Sequence, residues 1–114
     1  MPSLSITTNA PLSQDAEAAL AAAASKALAA ELGKPEAYVM VSVHPVRTLR
    51  FAGSDTPAAF LDLKSIGLPG KLDALASALT ELVGQHCRIS GGRIFITFAD
   101  VSAAHWAHNG GTIA

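Results

Sequence analysis

The chain has 114 residues and a formal net charge of -1, and half of its residues are apolar while 15% are charged. This length and composition predict one domain over residues 1–114 with its own core, and they exclude an intrinsically disordered chain. The eight lysines and arginines are scattered, which argues against nucleic acid as a partner, and no apolar stretch has the length and composition of a bilayer span, so we expect no membrane insertion.

The first half of the chain reads as strand, helix, strand. Residues 2–8 alternate between apolar and small polar side chains, which is typical of a half-buried strand. Residues 14–32 have high helix propensity, with Ser13 as the N-cap and Gly33 as the C-terminal stop. Alternation resumes at residues 39–44 and predicts a second strand.

The second half repeats this order. Residues 58–67 predict a third strand, a helix falls within residues 68–87, and residues 94–100 predict a fourth strand. Residues 106–114 contain a glycine turn that favours a small hairpin. On the second helix, helical spacing places His86 on the buried face.

These elements predict an α/β (α+β) fold made of tandem β-α-β units. A strand–helix–strand crossover is right-handed and makes its two strands parallel, so both helices should cover one face of a four-stranded mixed sheet. The opposite face is too apolar for open water and too polar for a dry core. It comprises Ser3, Ser5, Thr7, Met40, Ser42, His44, Phe95 and Thr97. Together with the high apolar content of so small a chain, this face predicts a homo-oligomer.

Four short motifs then converge. Met-Pro opens the first strand, GKP at residues 33–35 follows an alanine-rich helix, SIG at residues 65–67 follows the third strand, and a D…AA…T-A pattern begins at Asp100. In this order and spacing, along the whole length, the chain resembles the family of macrophage migration inhibitory factor and D-dopachrome tautomerase. The resemblance implies a homotrimer with active sites at subunit interfaces. It also implies cofactor-free keto–enol tautomerisation of phenylpyruvate-type α-keto acids and dopachrome-type compounds.

The resemblance implies that Pro2 is the general base once Met1 is removed. An α-amine ordinarily has a pKa of about 7.7–8.0 and a prolyl amine a higher one, so a base for neutral pH needs a neighbouring cation or burial. Lys34 stands where the family has its active-site lysine, and would both lower this pKa and hold the substrate's carboxylate. The resemblance also assigns substrate binding to the backbone at Ser65 and Ile66, with Ile66 as pocket wall.

Further pocket positions follow from the same resemblance. Tyr38 matches a family pocket tyrosine, although packing at the start of a strand is an equally good interpretation. Phe95 replaces a tyrosine that the adjacent subunit contributes, and Thr97 replaces an asparagine. A rim tryptophan becomes His108, while Trp106 lies two positions earlier. The sister enzyme also lacks the tyrosine, so Phe95 does not exclude activity.

Other residues narrow the chemistry. Ala58 and Leu61 replace the family's Cys-x-x-Cys motif, which excludes thiol–disulfide activity by that route. The single cysteine, Cys87, excludes a disulfide framework and is expected to pack in the interior. Four histidines are candidate metal ligands: His44, His86, His105 and His108. His105 and His108 have a tolerable spacing, but no helix or second ligand pair supports them, so we expect no metal.

Simpler structural interpretations stay open beside the catalytic ones. Pro2 would serve as the first residue of a strand, Lys34 as a favourable charge at a helix end, and SIG as a turn. The alternative function is a cytokine-like signalling or binding protein with a receptor and weak or vestigial activity. Phe95 and Thr97 favour it somewhat. The N-terminus lacks a signal-peptide pattern, so a cytoplasmic location is expected, with leaderless secretion left open by the resemblance.

Overall fold

Two β-α-β units share one sheet in a computed structural model that describes residues 1–114. The main elements are β1 (Pro2–Thr8), α1 (Gln14–Leu32), β2 (Met40–Pro45), β3 (Ala59–Ser65), α2 (Asp73–Cys87) and β4 (Ile94–Asp100). The strand order is β2-β1-β3-β4. The pairs β1–β2 and β3–β4 are parallel, whereas the central pair β1–β3 is antiparallel. The predicted four-stranded mixed sheet is therefore confirmed.

The ends of α1 form as the sequence predicts. Ser13 Oγ accepts the N–H of Ala16 at 3.1 Å and so caps the first turn. Gly33 ends the helix at φ 62°, a left-handed conformation that glycine adopts at little cost. One stripe of the helix is buried, at Leu20, Ala24 and Leu28.

The core lies between the two helices and one face of the sheet. Alternation in β1 and β3 gives each central strand a buried row, Leu4 and Ile6 in β1 and Leu61 and Leu63 in β3. Every one of these four side chains is fully buried, and each contributes roughly 1.5–3 kcal/mol relative to exposure. Both helices therefore cover the same face, as predicted.

The C-terminal end of α2 corrects one expectation. His86 is exposed, and its Nδ1 lies 3.0 Å from the carbonyl oxygen of Leu82. Its spacing suits the buried face, but burying an imidazole would cost it hydrogen bonds to water, and Cys87 is buried in the same turn instead. Burial raises the pKa of the Cys87 thiol, which keeps it neutral, as expected of a packing residue.

The predicted hairpin at the C-terminus is also present. It consists of β5 (Ala107–His108) and β6 (Gly111–Thr112), which pair antiparallel. Asn109 and Gly110 form the turn at φ 51° and 85°, the positive values that a two-residue hairpin loop requires.

One arginine fixes the long connection between β2 and β3. The Arg93 guanidinium donates to the carbonyl oxygens of Phe51 at 3.1 Å, Ser54 at 3.3 Å and Thr56 at 2.8 Å. Its Nε donates to the carbonyl of Pro57 at 3.1 Å. A lysine could not reproduce this planar fork of donors.

Replacing Arg93 by methionine should therefore destabilise the protein. We expect Arg93→Met to lower the free energy of unfolding by roughly 2–4 kcal/mol, because several carbonyls lose a charged donor together. Arg47, which is exposed and outside these contacts, supplies the control Arg47→Met, with an effect within about 0.5 kcal/mol. Denaturant titration at fixed protein concentration measures both, and equal effects of the two variants would contradict the assignment.

Candidate active site

Several chain segments meet at one end of the sheet. The strands β1 and β2 begin there, while β3 and β4, which run in the opposite direction to β1 and β2, end there. In the strand register Pro2 lies opposite Ser65, and Ser65 lies opposite Asp100. The helix α1 runs back from the far end of β1, so its C-terminus brings Lys34 to the same place. The topology thus gathers residues from distant parts of the sequence around the start of β1.

A cavity of about 310 Å³ opens at this end. It is lined mainly by apolar side chains: Met1, Pro2, Ser3, Ala37, Tyr38, Val39, Met40, Trp106, Ala107 and His108. The structure therefore brings together four of the residues singled out from the sequence, which are Pro2, Tyr38, Trp106 and His108. Concave, mostly apolar cavities of this size suit a small aromatic molecule.

Lys34 lies beside this end of the sheet and is held there by its side chain. Its Nζ donates to the carbonyl oxygen of Ile66 at 3.1 Å, while its backbone N–H closes α1 by donating to the carbonyl of Ala29 at 3.0 Å. Burial, and next the positive charge of Lys34, lower the pKa of the Met1 amino group below its ordinary value. The helix-end role and the electrostatic role of Lys34 are thus compatible.

The last residue of β3 has an unusual polar group. Ser65 is fully buried, and its Oγ has no hydrogen-bond partner within the chain. Its carbonyl oxygen accepts the N–H of Val101 at 2.8 Å. Gly67 turns the chain at φ 82°, and its N–H donates to Asp100 Oδ1 at 3.0 Å. Sequence reasoning assigned no role to Asp100, although it begins the D…AA…T-A pattern.

Two predicted site residues lie elsewhere in the same chain. Thr97 and Phe95 precede Asp100 by three and five residues. At roughly 3.3 Å per residue they lie about 10 and 16 Å from Asp100, towards the start of β4. They do not line the Pro2 cavity. Thr97 Oγ1 donates to Asp62 Oδ1 at 3.2 Å, and the Phe95 ring packs on Phe51 with 4.6 Å between centroids.

A second, larger cavity lies at the other end of the sheet, where α1 begins and α2 ends. Its volume is about 560 Å³, and its lining includes Ser13, His86 and Arg88 but none of the predicted site residues. No group of three or more His, Cys, Asp or Glu side chains in the chain could hold a metal ion. No helix has both the length and the apolarity to cross a membrane.

Comparison with known proteins agrees with this architecture. The family model of macrophage migration inhibitory factor (MIF) matches residues 1–114. The MIF homolog of Brugia malayi is 38% identical, with 98% of each chain covered, and the MIF of Meriones unguiculatus is 36% identical over the full length of both. A MIF-like protein from Entamoeba histolytica superposes with a TM-score of 0.92 at 29% identity, covering 97% of each chain.

The MIF homologue from Prochlorococcus marinus gives a TM-score of 0.91 at 32% identity, covering 98% of this chain and 99% of that one. The fold is that of the tautomerase superfamily, which confirms the fold expected from the resemblance. The chain belongs to the macrophage migration inhibitory factor family. Membership supports an isomerase-type activity or a cytokine-like function in general.

The single tryptophan provides a direct probe of the cavity. Trp106 lines it, so an aromatic carboxylate such as phenylacetate should change the intrinsic fluorescence in a saturable manner. If Lys34 binds the carboxylate, as the resemblance implies, Lys34→Met should weaken this binding about tenfold or more, because a charge-assisted hydrogen bond would be lost.

Lys26, which is exposed on α1, provides the matched control for this titration. We expect Lys26→Met to bind phenylacetate as the unmodified protein does. Equal affinities of the Lys34 and Lys26 variants, or a fluorescence signal that never saturates, would contradict the assignment of the cavity.

Proposed function

We propose that the protein is a cofactor-free keto–enol tautomerase for phenylpyruvate-type α-keto acids and dopachrome-type compounds. Its general base would be the amine of Pro2, uncovered by removal of Met1. The observation that carries this proposal is the location of Pro2, which is buried at the start of β1 in the cavity shared with Tyr38 and Trp106. There, burial and Lys34 already lower the pKa of the preceding amino group.

The reaction needs one group that removes and returns a proton. While Met1 is attached, the Pro2 nitrogen is a tertiary amide and is not basic. Once uncovered, it is a secondary amine that takes the proton from the carbon next to the substrate's carbonyl. The electrons of that C–H bond form the C=C bond and the carbonyl oxygen becomes an enolate. The protonated Pro2 amine then returns its proton to that oxygen, which gives the enol and the free amine. This series of steps is redox-neutral and requires no cofactor.

Lys34 would serve this reaction in two ways. Its charge disfavours a second positive charge on Pro2 and so keeps the amine partly neutral, while its ammonium attracts the substrate's carboxylate. The fixed hydrogen bond from Nζ to the carbonyl of Ile66 limits where that charge can stand. Backbone groups at Ser65 and Ile66 would complete substrate binding, with Tyr38 and Trp106 as aromatic walls.

A homotrimer would explain how Phe95 and Thr97, which lie far from Pro2 within one chain, can belong to the site. The sheet face opposite the helices exposes large apolar side chains, including Met40 at 69%, Phe95 at 53% and Phe60 at 41% exposure. Such a face favours burial against other subunits. In the proposed assembly, residues 1–114 act as one domain, and Phe95 and Thr97 of one subunit reach the Pro2 cavity of a neighbour.

A cytokine-like function is the second candidate. It is favoured by Phe95, which offers an aromatic wall but no hydroxyl to the proposed pocket, so catalysis there would have one fewer proton donor. Many similar proteins bear the name macrophage migration inhibitory factor. This function predicts saturable binding to a protein receptor that survives the substitution Pro2→Gly.

The catalytic proposal is tested at Pro2. We expect Pro2→Gly to lower kcat/KM for phenylpyruvate enolisation by about 10²-fold or more, which is the usual contribution of a positioned general base. Ultraviolet absorbance follows the reaction, and intact mass verifies that Met1 is absent. The control is Pro11→Gly in the loop at the far end of β1, which should leave the rate unchanged. A Pro2→Gly variant as fast as the unmodified protein would refute the proposal.

The shared site is tested by mixing two defective chains. Pro2→Gly and Phe95→Ala subunits, each impaired alone, should regain activity when co-expressed, because a Pro2 from one chain then meets a Phe95 from the other. Random assembly should restore about a quarter of full activity, since each site draws on two independently assorted chains. Sedimentation equilibrium should show three chains per particle. Activity no higher than the average of the separate variants would contradict a shared site.

A further inference from the structure

We propose that Asp100 is a positioning residue of the Pro2 site, whose carboxylate fixes the turn after β3 and thereby holds the ammonium of Lys34 in place. Asp100 ends β4, in the same cross-strand row as Ser65 and Pro2. Its Oδ1 accepts the N–H of Gly67 at 3.0 Å, and it forms no ion pair within the chain. This inference rests on the proposed function, because the group that it positions serves that reaction.

Two hydrogen bonds connect Asp100 to Lys34 through the peptide group between Ile66 and Gly67, and a third holds the preceding residue, Ser65. The N–H of Val101 donates to the carbonyl of Ser65 at 2.8 Å, and the N–H of Gly67 donates to the Asp100 carboxylate. The peptide groups before and after Ile66 are thus attached to the end of β4. The second of these peptide groups contains both the Gly67 N–H and the carbonyl oxygen of Ile66, and that carbonyl oxygen accepts Lys34 Nζ at 3.1 Å.

The turn needs this support because of its backbone. Gly67 has φ 82°. Glycine can adopt many other backbone conformations at little cost, so this residue by itself does not fix the orientation of the preceding carbonyl. A lysine side chain also has many rotamers, and it samples many positions unless an acceptor stays in one place. With the Gly67 N–H unbound, the Ile66 carbonyl would reorient and the charge of Lys34 would spread over a larger volume.

The charge of Asp100 is not what this role requires. A carboxylate near the proposed binding place of an anionic substrate is electrostatically unfavourable, so its benefit has to lie in the hydrogen bond that it accepts. An asparagine carbonyl oxygen at the same position can accept the same N–H without the charge. A glutamate keeps the charge but moves the oxygen by one methylene. The two substitutions therefore separate position from charge.

The experiment compares Asp100→Asn, Asp100→Glu and Asp100→Ala in the mature protein, from which Met1 has been removed. We expect Asp100→Ala and Asp100→Glu to raise KM for phenylpyruvate about tenfold with kcat changed less than about threefold, because substrate anchoring is lost while Pro2 remains. Asp100→Asn should stay within about twofold of the unmodified protein in both KM and kcat. Asp55→Ala, in the exposed loop before β3, is the control and should change neither constant.

A second measurement does not depend on catalysis. Hydrogen exchange of the Gly67 amide should accelerate at least about tenfold in Asp100→Ala and Asp100→Glu, and it should stay slow in Asp100→Asn. If Pro2→Gly were fully active, the proposed function would fail, yet the exchange data would still test the link between Asp100 and Gly67. Three results would each overturn the positioning role: an Asp100→Asn variant as impaired as Asp100→Ala, an Asp100→Ala variant with unchanged KM, or unchanged exchange of the Gly67 amide in Asp100→Ala.

Discussion

The antiparallel pairing of β1 with β3 places Pro2 directly opposite Ser65, and the rest of the proposed site depends on that register. A slip of one residue would turn Leu4 and Ile6 from the core towards the opposite face, at a cost of several kcal/mol. The same slip would move Pro2 away from the segment that holds Lys34. The hydrophobic core therefore fixes the position of the proposed base.

The proposed chemistry at this end of the sheet depends on two effects that act in the same direction. Burial lowers the pKa of the Met1 amino group, and the nearby ammonium of Lys34 lowers it further; the same two effects would act on an uncovered Pro2 amine. Lys34 is itself held by the carbonyl of Ile66, and the neighbouring Gly67 is held by Asp100. A positive charge that stands in one place can tune a base and bind an anion, whereas a mobile lysine would do both less well.

Much of this architecture could be predicted from the sequence because it follows from local rules. Alternation defined β1, the caps at Ser13 and Gly33 bounded α1, and the order of elements gave the sheet and its helices. The exposed His86 was misassigned, since periodicity says nothing about the cost of burying an imidazole. The contacts of Asp100 and of Arg93 could not be predicted, because each joins segments whose approach depends on the path of a loop. Phe95 and Thr97 lie outside the cavity in one chain, so their role depends on how copies assemble.

The central claim is that the uncovered Pro2 nitrogen is partly neutral near neutral pH. The most direct measurement is an NMR titration of the mature protein labelled with ¹⁵N at proline, which follows the Pro2 nitrogen itself. The account predicts a pKa below the ordinary value of a prolyl amine, with the neutral form populated around pH 7. A nitrogen that remains acylated by Met1, or an amine that loses its proton only at its ordinary pKa, would contradict it.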